Sequence, residues 1–410
     1  MAALVRSSWE YIDVLDGGSA RGIWDASTGA NLAATVAAAI TGDRGLRVDP
    51  VVAAVNFVSK RFAATATTNN NYAKFDFRVV TSVNTQTQIM TFTDFLASVN
   101  TGSVRINPDN TLELWNENTV GQIGVDSAAL TANTVYRIET EYVNSTRAFT
   151  GYIDGVSFAS GTLDAAADNL DQVHLGIGAG FGGGIAATGE LNFDSFCLNN
   201  QVGANQNTLV GEEFVVLRVV NAAGDNAMGV RTGVDSGSDF GQLDEKPPND
   251  GTDGYLLDAN NDIIDLGFED ASELVANGVP AGSTIRTVQV MVRHQLDAGT
   301  NAIGYAARLK SQSGGTVQTG TTITHNDQNW TMNGDPNSIP RIPSLTSYTD
   351  PQAGGPWTIP LLDTGQCGVI CTDANGDMDL TTLGVYIGYR TVTKAMKDVI
   401  MQGGVVPFAR

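Results

Sequence analysis

The chain has 410 residues and a formal net charge of −21. That length accommodates two or three domains, and that charge argues against a nucleic-acid or anionic-membrane partner, since both require a positive footprint. With 42% apolar and 16% charged residues, the composition excludes a disordered chain and suits a soluble protein that meets a basic surface, or one that must avoid self-association until assembly.

The first 60 residues read as an opening strand with irregular connections. Trp9, Tyr11, Ile12 and Val14 form an apolar segment that ends at Asp16-Gly17-Gly18. The Ala-rich run Asn31–Ile40 is compatible with a helical turn or two, although Thr35 and Val36 weaken that reading. Val51–Phe62 is apolar and fits helix or strand. Tyr72–Val80 (YAKFDFRVV) is a clear strand, with Tyr72, Lys74, Asp76 and Arg78 opposite Ala73, Phe75, Phe77 and Val79. Ile89–Leu96 continues the pattern. Ser103–Trp115 is a hairpin turning at Asn107-Pro108-Asp109-Asn110, and Thr119–Val125 is a further short strand.

The strongest signal lies between Thr134 and Phe158. Tyr136, Ile138, Thr140 and Tyr142 share one face of an extended run, and Arg137, Glu139 and Glu141 share the other. A polar turn at Asn144-Ser145-Thr146 returns the chain through Phe149, Gly151 and Ile153. Asp154-Gly155 turns it again, because both residues tolerate the positive φ of tight hairpins. This pattern resembles the later hairpin of concanavalin A-like, laminin-G-type jelly rolls, and GELNFDSFCLN (Gly189–Asn199) resembles their closing strand. The resemblance spans roughly residues 1–200 and implies a β-sandwich. That fold hosts lectins, glucanases, adhesion modules and virion parts alike.

Asn199–Gly211 is polar and without periodicity, which places a domain boundary there. The second half then reads as β again: Phe214–Val220, Gly254–Leu257, Ile285–His294, Ala302–Leu309 and Gly384–Tyr389. Within Ser283–Arg293, Ile285, Thr287, Gln289 and Met291 alternate with Arg286, Val288, Val290 and Val292. The long connection Asn326–Pro360 has the length of a functional or interfacial loop. The fold class is therefore all-β: two tandem antiparallel β-sandwich, jelly-roll-like domains over 1–200 and 212–392, a linker at 201–211, and a tail at 393–410.

An ordered set of motifs in this half resembles structural proteins of tailed bacteriophages. Asp244, Glu245, Pro247, Pro248, Asn249, Asp250, Gly251 and Tyr255 match a first block. Val288, Val290 and Arg293 match the following strand, and Asp297 with Gly299, then Arg308, Leu309 and Ser311, come next. Trp357, Thr358, Gln366, Gly368, Val369, Val385, Tyr386 and Tyr389 complete the set, which spans about Phe240 to Arg390. It implies a virion component.

Residues with chemical potential are sparse. A glucanase places carboxylates two apart on one strand face. Glu139 and Glu141 fit that spacing, but the expectation is a solvated face. Glu190 and Asp194 share a face with Asn192 standing where the central acid belongs. His174, His294 and His325 are scattered, and no G-x-S-x-G elbow surrounds a serine. The glycines of Gly176–Gly184 lack a following helix, so they read as a loop or close strand crossing rather than a phosphate cradle.

Cys197, Cys367 and Cys371 are too few for a disulfide framework, with a Cys367–Cys371 bridge left open. No Cys/His pair completes a zinc site. Asp373, Asn375, Asp377 and Asp379 space oxygen ligands as calcium requires, without the remaining EF-hand positions. Asp258, Asn260 and Asp262 form a weaker version. No other cofactor is expected. For a sugar, Trp115 flanked by Asn116 and Asn118 is the best stacking site, against the commoner reading of a core tryptophan at a strand end.

The N-terminal MAALVRSSWEYIDVL has no apolar h-region, and no apolar run is long enough to span a bilayer, so synthesis in a host cytoplasm is expected. On this account the Asn144 sequon is a chance match. Lys394–Arg410 (KAMKDVIMQGGVVPFAR) is the most basic stretch and reads as a clasp onto a neighbouring copy. The leading expectation is a non-enzymatic virion protein decorating a phage capsid or tail, with major capsid or tail proteins and its own copies as partners. The alternative is a carbohydrate-binding adhesin meeting a host-surface glycan.

Overall fold

A computed structural model of the chain describes residues 3–7, 24, 26–40, 44–62, 70–94, 99–164, 170–178, 184–201, 207–233, 238–244, 253–268, 279–296, 303–325, 331–332, 345–372 and 378–391. Among them strand dominates, in antiparallel sheets that form sandwich-like halves. The all-β expectation holds.

In the first half, an eight-stranded sheet runs Val156–Thr162, Ala148–Ile153, Val135–Val143, Asn71–Thr81, Glu190–Asn200, Gly45–Val48, Leu32–Thr35, with Ala3–Ser7 also paired to Glu190–Asn200. A seven-stranded sheet runs Gly121–Ile123, Leu112–Asn116, Val99–Ile106, Thr87–Asp94, Gln172–Gly178, Asn56–Arg61, Ala26–Thr28. Alternation builds the core between them. Phe75, Phe77, Ile138, Phe149 and Phe193 from one sheet meet Phe92, Val104, Leu114 and Leu175 from the other, all fully buried. The rings of Phe92 and Phe149 touch edge-on across the gap at 6.2 Å. Each such side chain contributes about 1.5–3 kcal/mol by burial.

Asp154 and Gly155 take φ of 52° and 85°, the paired left-handed residues of a two-residue hairpin. Gly176 is required for another reason. Its φ is +121°, and a Cβ there would stand 2.4 Å from the carbonyl oxygen of Asn56 on the neighbouring strand, which is the close crossing the glycine run suggests.

The second half is one folded-over sheet: Val230–Gly233, Asp253–Leu257, Met378–Arg390, Phe214–Ala227, Ile263–Phe268, Gln366–Cys371, Ile303–Lys310, Gln318–Thr319, with Thr284–Leu296 along the opposite side of Met378–Arg390. Phe214–Ala227 makes the corner. Its first residues pair with Met378–Arg390 and its last with Ile263–Phe268, with irregular register between Val220 and Asn226. Strands that switch sheets through bulges are how such corners form. Val288, Val290, Val385 and Ile387 then close on Leu266, Leu309 and Val369 as a second core.

The two cores meet through that same strand. Val215, Leu217 and Val219 belong to the first-half cluster together with Met291 and Tyr386, whereas Val216 and Val220 belong to the second. A strand that feeds two cores has no polar face, which is why EEFVVLRVV reads as a continuous apolar run.

Several expectations change on contact with the structure. Asn31–Ile40 is not helical: it holds the strand Leu32–Thr35 and a single 3-10 turn, Val36–Ala38, capped by the Thr35 hydroxyl. Val51–Phe62 resolves into a loop and the strand Asn56–Arg61. Ile263–Phe268 and Gln366–Cys371 are strands beyond those expected for this half. Cys367 and Cys371 sit four residues apart on one strand, roughly 13 Å along an extended chain, too far to bridge. None of the three cysteines is in a disulfide, and all three are buried.

The connection Asn326–Pro360 is partly a core element. Thr346–Ser347 pairs with Thr284–Leu296, and Trp357 is buried with its indole nitrogen donating to Ser347. The apolar segment 9–14, the motif stretches 245–250 and 297–299, and the tail 393–410 lie outside the described residues.

Candidate functional site

The outer face of the seven-stranded sheet gathers the polar and aromatic side chains of the first half. One row crosses it strand by strand: Gln122, Trp115, Ser103, Thr91, His174 and Ser59 are successive partners. At ~4.8 Å per strand, Trp115 and His174 stand about 14 Å apart.

Trp115 anchors one end. The Arg105 guanidinium lies over its ring, 3.8 Å from the centroid, and its indole nitrogen donates to Glu113 at 2.5 Å. Arg105 is fully buried and donates to both carboxylate oxygens of Glu117, at 2.9 and 2.8 Å. The Ser103 hydroxyl also donates to Glu117. Gln86 bridges Arg105 and Glu113, accepting from the guanidinium at 3.0 Å and donating to the carboxylate at 2.6 Å.

Asn116 accepts the backbone amides of Asn118 and Thr119 at 3.1 and 3.4 Å, an Asx turn that closes the chain before Gly121–Ile123. The side-chain amide nitrogen of Asn118 is buried without a hydrogen-bond partner. The sequence-nominated trio is thus together in space, but Asn116 is committed to the turn and Arg105 already occupies one face of the Trp115 ring.

The opposite end holds a pair that the nomination missed. Phe57 and His174 stack at 4.3 Å with 12° between their planes, both half-buried. Gln172 accepts from the Thr93 hydroxyl at 3.0 Å and lies 3.2 Å from His174 Nε2. Burial pushes the His174 imidazole down to about 4, so it is neutral at neutral pH. Period-2 alternation contained the signal: Phe57, Ser59 and Arg61 share one strand face, and Gln172, His174 and Gly176 another.

The acids expected to lie on open strand faces do not. Glu139 is 2% exposed, because the second half packs over it. It accepts from the Gly211 amide at 2.7 Å and from Arg137 at 2.8 Å, which corrects the solvated-face reading. Glu141 takes the Tyr152 hydroxyl at 2.7 Å. Glu190 pairs with Arg47 at 3.0 Å, whereas buried Asp194 accepts the Ile40 amide at 2.8 Å. These carboxylates are engaged by different partners and do not converge on a common cleft.

Among the described residues no group of three or more His, Cys, Asp or Glu is placed to hold a metal ion. Asp373, Asn375 and Asp377 lie outside the described residues; Asp379 accepts from Gln295 at 3.3 Å. In the weaker loop, Asp262 accepts the amides of Asp258 and Ala259 at 3.2 and 3.0 Å, so the acid closes its own turn. His294 is buried against Tyr305, 2.8 Å from its hydroxyl.

The second half has its own charged cluster at the sheet corner. Asp265 receives Arg308 at 2.9 Å and Lys310 at 2.8 Å. Burial opposes ionisation of Asp225, yet the Ser313 hydroxyl, the Lys310 ammonium and the Gly314 amide hold its carboxyl well below the usual range. A cleft of about 730 Å³ opens beside it, lined by Asn221, Phe268, Gln312, Asp363 and Gln366.

No family model matches the sequence, and no curated protein sequence matches it. Solved structures resemble it weakly. A sialidase aligns at a TM-score of 0.36 and 13% identity over 48% of this chain, and this chain spans 18% of the sialidase's length. The cellulose-induced protein Cip1 aligns at 0.33 and 14% identity, covering 49% of this chain and 91% of its own. The alginate lyase AlyC3 aligns at 0.33 and 9% identity, covering 48% and 90%. At these scores the matches carry no statement about substrate or activity.

Proposed function

We propose that this protein is a non-enzymatic structural component of a tailed-phage particle, decorating its capsid or tail. The observation that carries the reading is the junction of its halves. Lys74, fully buried on the outer face of the eight-stranded sheet, donates to the carbonyl oxygens of Glu213 at 2.6 Å and Ser195 at 3.3 Å and pairs with Asp76 at 2.8 Å. The Val215 amide donates to Ser195, and Arg390 donates to the Glu212 carbonyl.

Such a junction makes a stiff two-part block, suited to bearing load rather than to opening around a substrate. The ordered motifs between Phe240 and Arg390 supply the virion assignment, and several of their residues have structural positions. Arg308 pairs with Asp265, while Trp357 and Tyr386 are core residues. The acidity keeps free copies apart until they dock. Mass spectrometry of purified particles tests the reading: the protein is expected in stoichiometric amounts, and absence rejects it.

The Phe57–His174 stack favours a second reading, a glycan-binding adhesin. A half-buried aromatic pair bordered by Thr and Gln side chains is the kind of surface on which a sugar face stacks. Under this reading glycan-array binding is lost in His174→Ala and weakened in Trp115→Ala, and the absence of any bound glycan removes it.

A further inference from the structure

Two side chains at the corner of the second half bind one oxygen atom of a third. Asp265 Oδ2 accepts from the Lys310 ammonium at 2.8 Å and from the side-chain amide of Asn226 at 2.6 Å. Asn226 lies opposite Asp265 in the ladder, Asp265 opposite Gly368, and Gly368 opposite Arg308, two residues before Lys310. The glycine lets these groups meet across the sheet: a Cβ at Gly368 would stand 2.4 Å from Asp265 Oδ1. The side chains of Lys310 and Asp265 are 5% and 1% exposed, so water has little access to their contact. An amine and a carboxamide bridged by one buried carboxylate are the reactants of an amide exchange, already held in one place as proximity catalysis requires.

The chemistry needs only these groups. Burial opposes ionisation of Asp265, yet Arg308, which clamps it at 2.9 and 3.1 Å, and Lys310 hold its carboxyl below the usual range. At neutral pH it is therefore ionised and able to accept a proton. Asp265 takes a proton from Lys310, and the freed amine attacks Cγ of Asn226. The carbonyl electron pair moves onto oxygen as the Nζ–Cγ bond forms and returns as the Cγ–Nδ2 bond breaks. Because Asp265 touches both nitrogens, it passes two protons in turn from Nζ to Nδ2, and the leaving group departs as ammonium. The exchange balances with neither oxidant nor cofactor. Asp225 also meets Lys310, at 2.9 Å, but its carboxyl is held ionised, and a carboxylate resists a nucleophile that a carboxamide admits.

We infer that Lys310 and Asn226 join in an amide bond, with Asp265 as the catalytic residue, tying the corner covalently over the strands Ile263–Phe268 and Gln366–Cys371. The bond does not depend on the virion reading, since it concerns one chain alone. The intact mass of the full-length wild-type chain, followed during incubation at neutral pH, tests it. A loss of about 17 Da is expected, the ammonia released when a lysine amine displaces a carboxamide nitrogen, with a branched peptide joining the two residues after proteolysis. The unaltered sequence mass overturns the inference, and so does a loss of water mapped to Asp225. Asn226→Ala and Lys310→Arg are each expected to keep the full mass of their own sequence, and a loss that persists in either overturns it. Asp265→Asn, compared with wild type at matched circular dichroism, is expected to lose mass at least tenfold more slowly; an equal rate overturns the role given to Asp265.

Discussion

The two halves handle buried charge differently. In the first half, Arg105, Glu113 and Glu117 lie on a sheet face, across strands, with an aromatic ring stacked over the cation. In the second, Asp225, Asp265, Arg308 and Lys310 sit at a corner, where they tie the end of Phe214–Ala227 to Ile303–Lys310 and to Ser313 and Gly314. The first network ties neighbouring strands of one sheet; the second holds a bend. Within the sheet the ladder already fixes the backbone, so the buried Arg105–Glu117 pair fixes side chains, among them the Trp115 ring. At a corner, the irregular register leaves backbone and side chains to be fixed by whatever charge can reach them.

The largest test of this contrast is at the seam. Lys74→Ala removes the cation from buried Asp76 and from the Glu213 and Ser195 carbonyls. Stripping one partner from such a pair costs about 3–5 kcal/mol, which denaturant unfolding will read as a large fall in midpoint. A loss under ~1 kcal/mol would mean that the halves are not closed on each other in solution.

Acid separates the halves by pH window. Burial lowers the His174 pKa to about 4 in the folded chain, so between pH ~6.5 and ~4 the unfolded chain binds a proton that the folded one refuses. First-half stability therefore falls as pH drops through that window, by on the order of 3 kcal/mol, and levels off below it. His174→Gln abolishes the slope. Asp225 and Asp265 are both lowered, so their contribution is present above pH ~4 and is lost as pH falls below it. Tryptophan fluorescence during acid titration, with and without His174→Gln, distinguishes the two steps.

A smaller effect is expected from Arg308→Lys, which keeps the charge but loses the two-pronged contact with Asp265 at 2.9 and 3.1 Å. About 1–2 kcal/mol should be lost, with the corner strands losing exchange protection first. Trp115→Phe is the mildest. It removes the indole donation to Glu113 and thins the stack under Arg105, for about 1 kcal/mol, while folding stays intact. A much larger loss would make Trp115 a core residue rather than one on the sheet's outer face.

Strands whose two faces meet different surroundings are legible from alternation. Tyr72–Val80 and Thr134–Phe158 appear where expected, and the Asp154-Gly155 hairpin has the expected positive φ values. The burial of Lys74, Asp76 and Glu139 is not legible, because a polar strand face looks solvated until another sheet lies on it. Ile263–Phe268 does carry the period-2 signal, with Ile264, Leu266 and Phe268 facing the core, but it is only six residues long beside an acidic loop, and Asp265 on its other face is held inside by Arg308. His174 and Phe57 lie more than a hundred residues apart, so nothing local joins them.

What the amino acids determined by themselves is local: turns from Asn, Asp and Gly, strands from period-2 alternation, and hence an all-β chain. Only the tertiary structure decided which faces are inside, because burial depends on what is stacked above a strand and not on the strand. The seam at Lys74 and the row from Trp115 to His174 are properties of that stacking.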